Sequence, residues 1–136
     1  MCEDIGQAIT LATGVSGSIS RPVPVAGGCI NEAFQLTVGS QRFCVKINRA
    51  DLLPMFEAEA DGLDAISGSH SLRAPRPISL GISGMRAWLA LEFIEFSSGD
   101  RHTQPALGRG LAALHRSSGD HFGWQRDNWI GSTPQT

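Results

Sequence analysis

The stretch AFQLTVGSQRFCVKIN, Ala33–Asn48, decides the reading of the fold. Phe34, Leu36 and Val38 alternate with smaller or polar residues, Gly39-Ser40 is a turn dipeptide, and Phe43, Val45 and Ile47 resume the alternation. Period-two patterning on both sides of a glycine turn predicts a β-hairpin with one apolar face. On the second strand Lys46 shares the opposite face with Cys44 and Asn48. A lysine on the solvent side of a half-exposed sheet is commonplace, so alternation alone leaves Lys46 open between a surface residue and a functional one.

Upstream, Ile5, Ala8, Ile9 and Ala12 recur at helical spacing, giving a short amphipathic helix ended by Gly14. Ile19–Val25 is β-branched but interrupted by Pro22 and Pro24, which suits an edge or irregular strand. Gly27-Gly28 then marks a turn. Downstream, Met55–Ser67 predicts a second helix, with Pro54 near its start and Gly68 beyond its end. RAPRPISLG, from Arg73, reads as an extended connector, and AWLALEFI, Ala87–Ile94, as an almost wholly apolar strand. After Ser97-Ser98-Gly99-Asp100, Thr103 is placed to cap a helix with Pro105 in its first turn and Leu107, Leu111 and Leu114 on its buried face. The closing DNWIGSTPQT reads as the middle of a loop, so the chain is expected to be a fragment or one lobe of something larger. Strands joined by hairpins, with helices kept apart from them, imply an antiparallel α+β sheet up to about Phe96.

Bulk properties narrow the function classes. A chain of 136 residues is long enough to bury a core, and 41% hydrophobic with 18% charged residues is an ordinary soluble composition. The net charge of −2, with both signs mixed along the chain, argues against nucleic acid as a partner. No long apolar run predicts a membrane span, and Glu3 and Asp4 stand where a signal peptide would carry cations. Cys2, Cys29 and Cys44 are too far apart for a zinc site or a disulfide framework, which suits a reducing cytoplasm.

The second helix alters the weight of Lys46. At roughly 100° per residue, Phe56, Ala60, Leu63, Ile66 and Met55 fall in one arc, and Glu59 lies inside it between Leu63 and Ile66. Glu57, Asp61 and Asp64 point the other way. A carboxylate directed at a core is costly unless paired, and Lys46 on the preceding strand is its candidate partner.

With these residues in place, the chain resembles the fructosamine kinase family, a branch of the kinase-like superfamily that includes aminoglycoside and choline phosphotransferases. The matching stretches are GGCINEAFQL, FCVKIN, MFEAEADGLDAI, APRPISLG, LALEFI, LGRGLAALHR and FGWQRDNWIGSTPQ, in order from about residue 20 to the end. The resemblance implies a protein-kinase-like N-lobe, an antiparallel sheet of about five strands with a packed helix, over residues 1–96. Residues 97–136 would be the hinge exit, first helix and loop of an incomplete helical C-lobe. It implies that Gly27, Gly28, Cys29, Ile30 and Asn31 form the phosphate loop, although AGGCINEAF lacks the G-x-G-x-x-G spacing. Lys46 would contact the ATP phosphates, Glu59 would orient Lys46, and Cys44 would roof the adenine. Leu91 would be the gatekeeper, and the backbone of Glu92, Phe93 and Ile94 would hydrogen-bond the base.

By the same resemblance, the activity is ATP-dependent phosphorylation of a sugar hydroxyl on a ketoamine, as a small molecule or on a glycated protein. The family's His-Gly-Asp motif and the aspartate that binds Mg²⁺ have no counterpart in these 136 residues. No catalytic residue and no metal ligand is therefore expected here, and the chain alone should not turn over. His115 is read as structural, and Asp127 and Asn128 are assigned no catalytic role, their part being left open. The alternatives are a non-catalytic nucleotide- or partner-binding module and a kinase for another small hydroxylated amine. Dimerisation through a Cys29 disulfide or an exposed lobe interface is the remaining partner expectation.

Overall fold

A computed structural model of the chain describes residues 1–25 and 30–136. In order the elements are α1 (Cys2–Thr13), β1 (Val23–Pro24), β2 (Glu32–Val38), β3 (Gln41–Arg49) and, after a 3₁₀ turn, α2 (Leu53–Gly68). They continue with β4 (Pro77–Ser83), β5 (Arg86–Glu92), α3 (Thr103–Arg116), β6 (Asn128–Ile130) and β7 (Thr133–Gln135). Strands β1 to β5 form one antiparallel sheet in the order β1-β2-β3-β5-β4, and β6 and β7 pair as a separate hairpin. The α+β class with a five-stranded antiparallel sheet is what the sequence predicts.

The β2–β3 hairpin forms as its alternation requires, with Phe34, Leu36, Val38, Phe43, Val45 and Ile47 buried. Its turn residue Gly39 has φ +60°, and a Cβ there would lie 2.5 Å from the carbonyl oxygen of Ser16. The Gly39 N–H donates to Ser18 O at 3.0 Å, so the chain leaving α1 is fastened to the hairpin tip. Only glycine satisfies both the left-handed backbone and that close approach.

Both faces of the sheet are covered. Ile5 and Ile9 of α1 pack with the six hairpin residues, Trp88 and Ala90 on one side. Met55, Phe56 and Ala60 of α2 pack with Ala87, Leu89 and Leu91 on the other. Strand β5 is thus buried on both faces from Ala87 to Leu91, which is why its sequence is a continuous apolar run and not an alternating one. Helix α1 carries Glu3 and Asp4 at its positive end and closes at Gly14, whose φ of 75° lets its N–H reach Thr10 O.

Several expectations are corrected. The extended connector is half strand: β4 begins at Pro77, with an irregularity between Pro77 and Ser79, because an edge strand does not need the missing proline N–H. Strand β5 stops at Glu92, two residues short of the predicted end. Helix α2 starts two residues early and includes Gly68. The closing loop contains the β6–β7 hairpin, turning at Gly131 with φ +64°.

Thr103 is the first residue of α3 and not its cap: His102 holds the N-cap position and makes no side-chain cap bond. Asp100 Oδ1 accepts from the N–H groups of His102 and Thr103 at 2.8 and 3.1 Å, while Thr103 Oγ1 accepts from the Asp100 N–H at 2.9 Å. This reciprocal pair closes the turn that leads into α3, and the carboxylate is its stronger acceptor. The α3 leucine face is not buried: Leu107 and Leu111 are 46% and 40% exposed. Contact runs instead through Gly110, where a Cβ would sit 2.9 Å from Ser71 O. Among the described residues no helix is long and apolar enough to cross a membrane.

Phe56, fully buried at the α2–sheet contact, gives a direct test. Phe56→Ala should cost about 3–5 kcal/mol in urea unfolding, whereas Leu11→Ala, at an exposed position of α1, should stay within about 0.5 kcal/mol.

Candidate functional site

Strand β3 turns Cys44, Lys46 and Asn48 towards α2. Lys46 stands opposite Ala33 on β2 and Leu89 on β5, and Cys44 opposite Gln35 and Leu91. The Lys46 ammonium therefore emerges from an apolar surface, and Glu59 Oε1 of α2 meets its Nζ in a direct ion pair. The two side chains are 29% and 28% exposed, so the pair sits at the edge of the interface with one side open. An ammonium has three donors, and Glu59 engages one of them. A partly exposed pair adds on the order of 1 kcal/mol to stability or less. What it provides is a cation held in one place with donors left for an anion.

Lys46 is also the only lysine in the chain, the other ten basic residues being arginines. This signal was available in the composition. An ammonium on a flexible stem is a compact point charge, unlike the planar guanidinium fork of arginine.

Asn48, on the same face, was not singled out as a site residue. Its Nδ2 donates to Ile30 O at 3.1 Å and to Asn31 Oδ1 at 2.7 Å. It thereby ties the end of the β1–β2 connection to β3, two residues from Lys46. Gly27, Gly28 and Cys29 of the expected loop lie outside the described residues. Ile30 is close to the β6–β7 turn, since a Cβ on Gly131 would lie 3.4 Å from Ile30 Cδ1. Trp129 of β6 packs into the α2–β5 cluster.

The back of α2 is held separately. Arg126 donates through Nη1 to Asp61 Oδ2 at 2.6 Å and through Nη2 to Glu57 Oε2 at 3.1 Å. Both carboxylates raise its pKa, Asp61 more strongly. Residues 126 and 57 are too distant in sequence for local patterning to pair them.

At the other end of the face, Leu91 is 3% exposed and belongs to the α2-side core. The Glu92 N–H already donates to Arg76 O at 2.8 Å, so that N–H is not a ligand donor. The Glu92 carboxylate accepts from Arg73 at 2.8 Å. The Phe93 ring lies under the Arg42 guanidinium, 4.7 Å from its centroid, and Ile94 is half-buried. The Cys44 thiol is pushed up by burial, the Lys46 charge partly offsetting this.

A cleft of about 760 Å³ opens at the strand ends, lined by residues such as Val15, Gln41, Arg42 and Arg76, and does not reach Lys46. Chemistry and not size marks the candidate site, because the fixed cation lies on the α2 side. Among the described residues no three His, Cys, Asp or Glu side chains converge as a metal site.

A family model described as fructosamine kinase matches residues 1–136. A Synechocystis protein assigned as a ketoamine kinase is 43% identical over 134 residues, covering 98% of this chain and 45% of that protein. The chloroplastic protein-ribulosamine 3-kinase of Arabidopsis thaliana is 38% identical over 138 residues, covering 99% of this chain and 42% of the relative. The crystal structure of a Haemophilus somnus protein assigned as a fructosamine-3-kinase superposes with a TM-score of 0.89 at 28% identity, covering 97% of this chain and 45% of its own. The chain thus spans less than half the length of these relatives.

The raised thiol pKa of Cys44 keeps it protonated near neutral pH, and the thiolate is the reactive form. Alkylation followed by mass spectrometry should find Cys44 modified on the order of tenfold or more slowly in the folded chain than in the urea-unfolded chain.

Proposed function

Because the chain belongs to the fructosamine kinase family, we propose that it is the nucleotide-gripping part of an ATP-dependent ketoamine kinase. The observation that carries this reading is the Lys46–Glu59 pair held between β3 and α2. In phosphoryl transfer the protein mainly positions the nucleotide and stabilises its charge, and a strand lysine fixed by a helix glutamate is the arrangement that kinases use. Residues 1–96 would form the ATP-binding lobe and residues 97–136 the hinge exit and the beginning of a second lobe.

In this reading the spare Nζ donors of Lys46 bind phosphate oxygens, while Glu59 keeps the ammonium from swinging away. Backbone N–H groups of residues 27–31 cover the phosphates, and Asn48 anchors the exit of that loop through Ile30 and Asn31. Cys44, half-buried, lies against the adenine with Leu91 beside it on the neighbouring strand. Backbone groups near Phe93 and Ile94 meet the edge of the base.

The phosphoryl group passes from ATP to a sugar hydroxyl of a ketoamine, leaving ADP and a phosphorylated, more labile adduct, which is a deglycation step. By the family resemblance the hydroxyl's base and the Mg²⁺ ligands belong to a His-Gly-Asp motif and a later aspartate, and in this reading the present residues contribute the grip on ATP. A cytoplasmic location goes with this reading.

A non-catalytic module would use the same nucleotide grip, and the exposed Phe96, Leu107, Leu111 and Phe122 would serve as its partner surface. A kinase for another hydroxylated amine would also share the grip, since nothing in it reads the acceptor. A Cys29-linked dimer concerns a residue outside the described ones, and a non-reducing gel with and without oxidant tests it.

Calorimetric ATP titration tests the proposal. Lys46→Met and Glu59→Ala should each weaken binding about tenfold to a hundredfold, the scale of a charge-assisted hydrogen bond. Asp64→Ala, an exposed position on the same helix, should leave it unchanged. Equal affinity of wild type and Lys46→Met would end the proposal.

A further inference from the structure

Glu57 and Asp61 stand one turn apart on α2, and like charges at that spacing disfavour a helix unless countered. Arg126 counters them with a two-pronged donor set, Nη1 on Asp61 at 2.6 Å and Nη2 on Glu57 at 3.1 Å. Glu59 lies between them in sequence but, at roughly 100° per residue, about 160–200° round the helix from both. Arg126 therefore holds the back of α2 while Lys46 meets its front. The segment that carries Arg126 is itself pinned, because Trp129 packs into the cluster of Met55, Phe56 and Leu91.

We infer that Arg126 is a positioning residue for the Lys46–Glu59 pair, acting by fixing the rotation of α2 about its own axis. The lever is geometric. Side-chain ends lie about 5–6 Å from a helix axis, so a rotation of about 20° moves them by about 2 Å, enough to part a direct ion pair. On the Glu59 face the helix is seated by Met55 and Phe56, one turn before Glu59, and nothing in that contact grips the opposite side. A guanidinium bonded to two carboxylates one turn apart supplies that second hold, since rotation of the helix would draw both carboxylates away from the donors together. The inference rests on the reading that the pair grips a nucleotide, but the geometry of the pair can be tested without one.

Lys46 is the only lysine, so reductive methylation with ¹³C-formaldehyde gives one side-chain ammonium signal besides that of the N-terminus. In the ligand-free chain Arg126→Gln should shift the Lys46 methyl resonance towards its position in Glu59→Gln, and Arg126→Lys should shift it less. In parallel titrations Arg126→Gln should weaken ATP binding roughly twofold to thirtyfold, with no further loss when added to Glu59→Gln. A wild-type resonance in Arg126→Gln, whatever its melting temperature, would make Arg126 a surface ion pair only and overturn the inference. So would equal ATP losses in the wild-type and Glu59→Gln backgrounds. If wild type binds no ATP, the nucleotide reading fails while the resonance still decides the role of Arg126.

Discussion

A single ammonium on an apolar strand face, met by a single carboxylate from the neighbouring helix, sets the terms for the rest of this molecule. Lys46 has Ala33 and Leu89 beside it and an α2-side core beneath. A charge in that position is tolerable only with a partner. The partner has to come from α2, since the sheet neighbours are apolar. The helix must then lie close enough, and at the right rotation, for Glu59 to arrive while Phe56 and Ala60 still pack. Each constraint tightens the other: the packing holds the ion pair in place, and the pair limits how the helix can pack.

The remainder of the fold follows from holding that arrangement steady. Helix α1 fills the opposite face, so β3 and β5 are packed from both sides. Asn48 carries the order of β3 into the exit of the β1–β2 connection. Arg126 and Trp129 tie the chain's distal segment back to α2. The pair is left open on one side, with ammonium donors that Glu59 does not engage. By contrast α3 leaves Leu107 and Leu111 uncovered and meets the rest chiefly at Gly110. The described residues are therefore well packed around the sheet and sparsely packed beyond it.

Much of this could be read from residue patterns. The β2–β3 hairpin was legible because alternation and turn chemistry act over a few residues, and Gly39 supplied both. Glu59 was legible because helical phase is local and its stripe was otherwise apolar. Strand β4 was less so, since prolines at 75 and 77 look like a connector until an edge position removes the need for their N–H groups. The leucines of α3 misled for the opposite reason: periodicity shows which face is apolar, not whether anything covers it. The sole lysine was visible in the composition, but its importance emerged only beside its partner.

The sequence by itself determined the α+β order, the hairpin register, the direction in which Glu59 points and, through its resemblance to one family, the kind of site to look for. These depend on backbone period and turn chemistry, which are properties of neighbouring residues. Tertiary structure alone decided that both faces of the sheet are covered, that Asn48 anchors the loop exit and that Arg126 grips α2 from behind. The fork joins residues more than sixty positions apart. No local pattern encodes such a contact, because its geometry exists only once the intervening chain has packed.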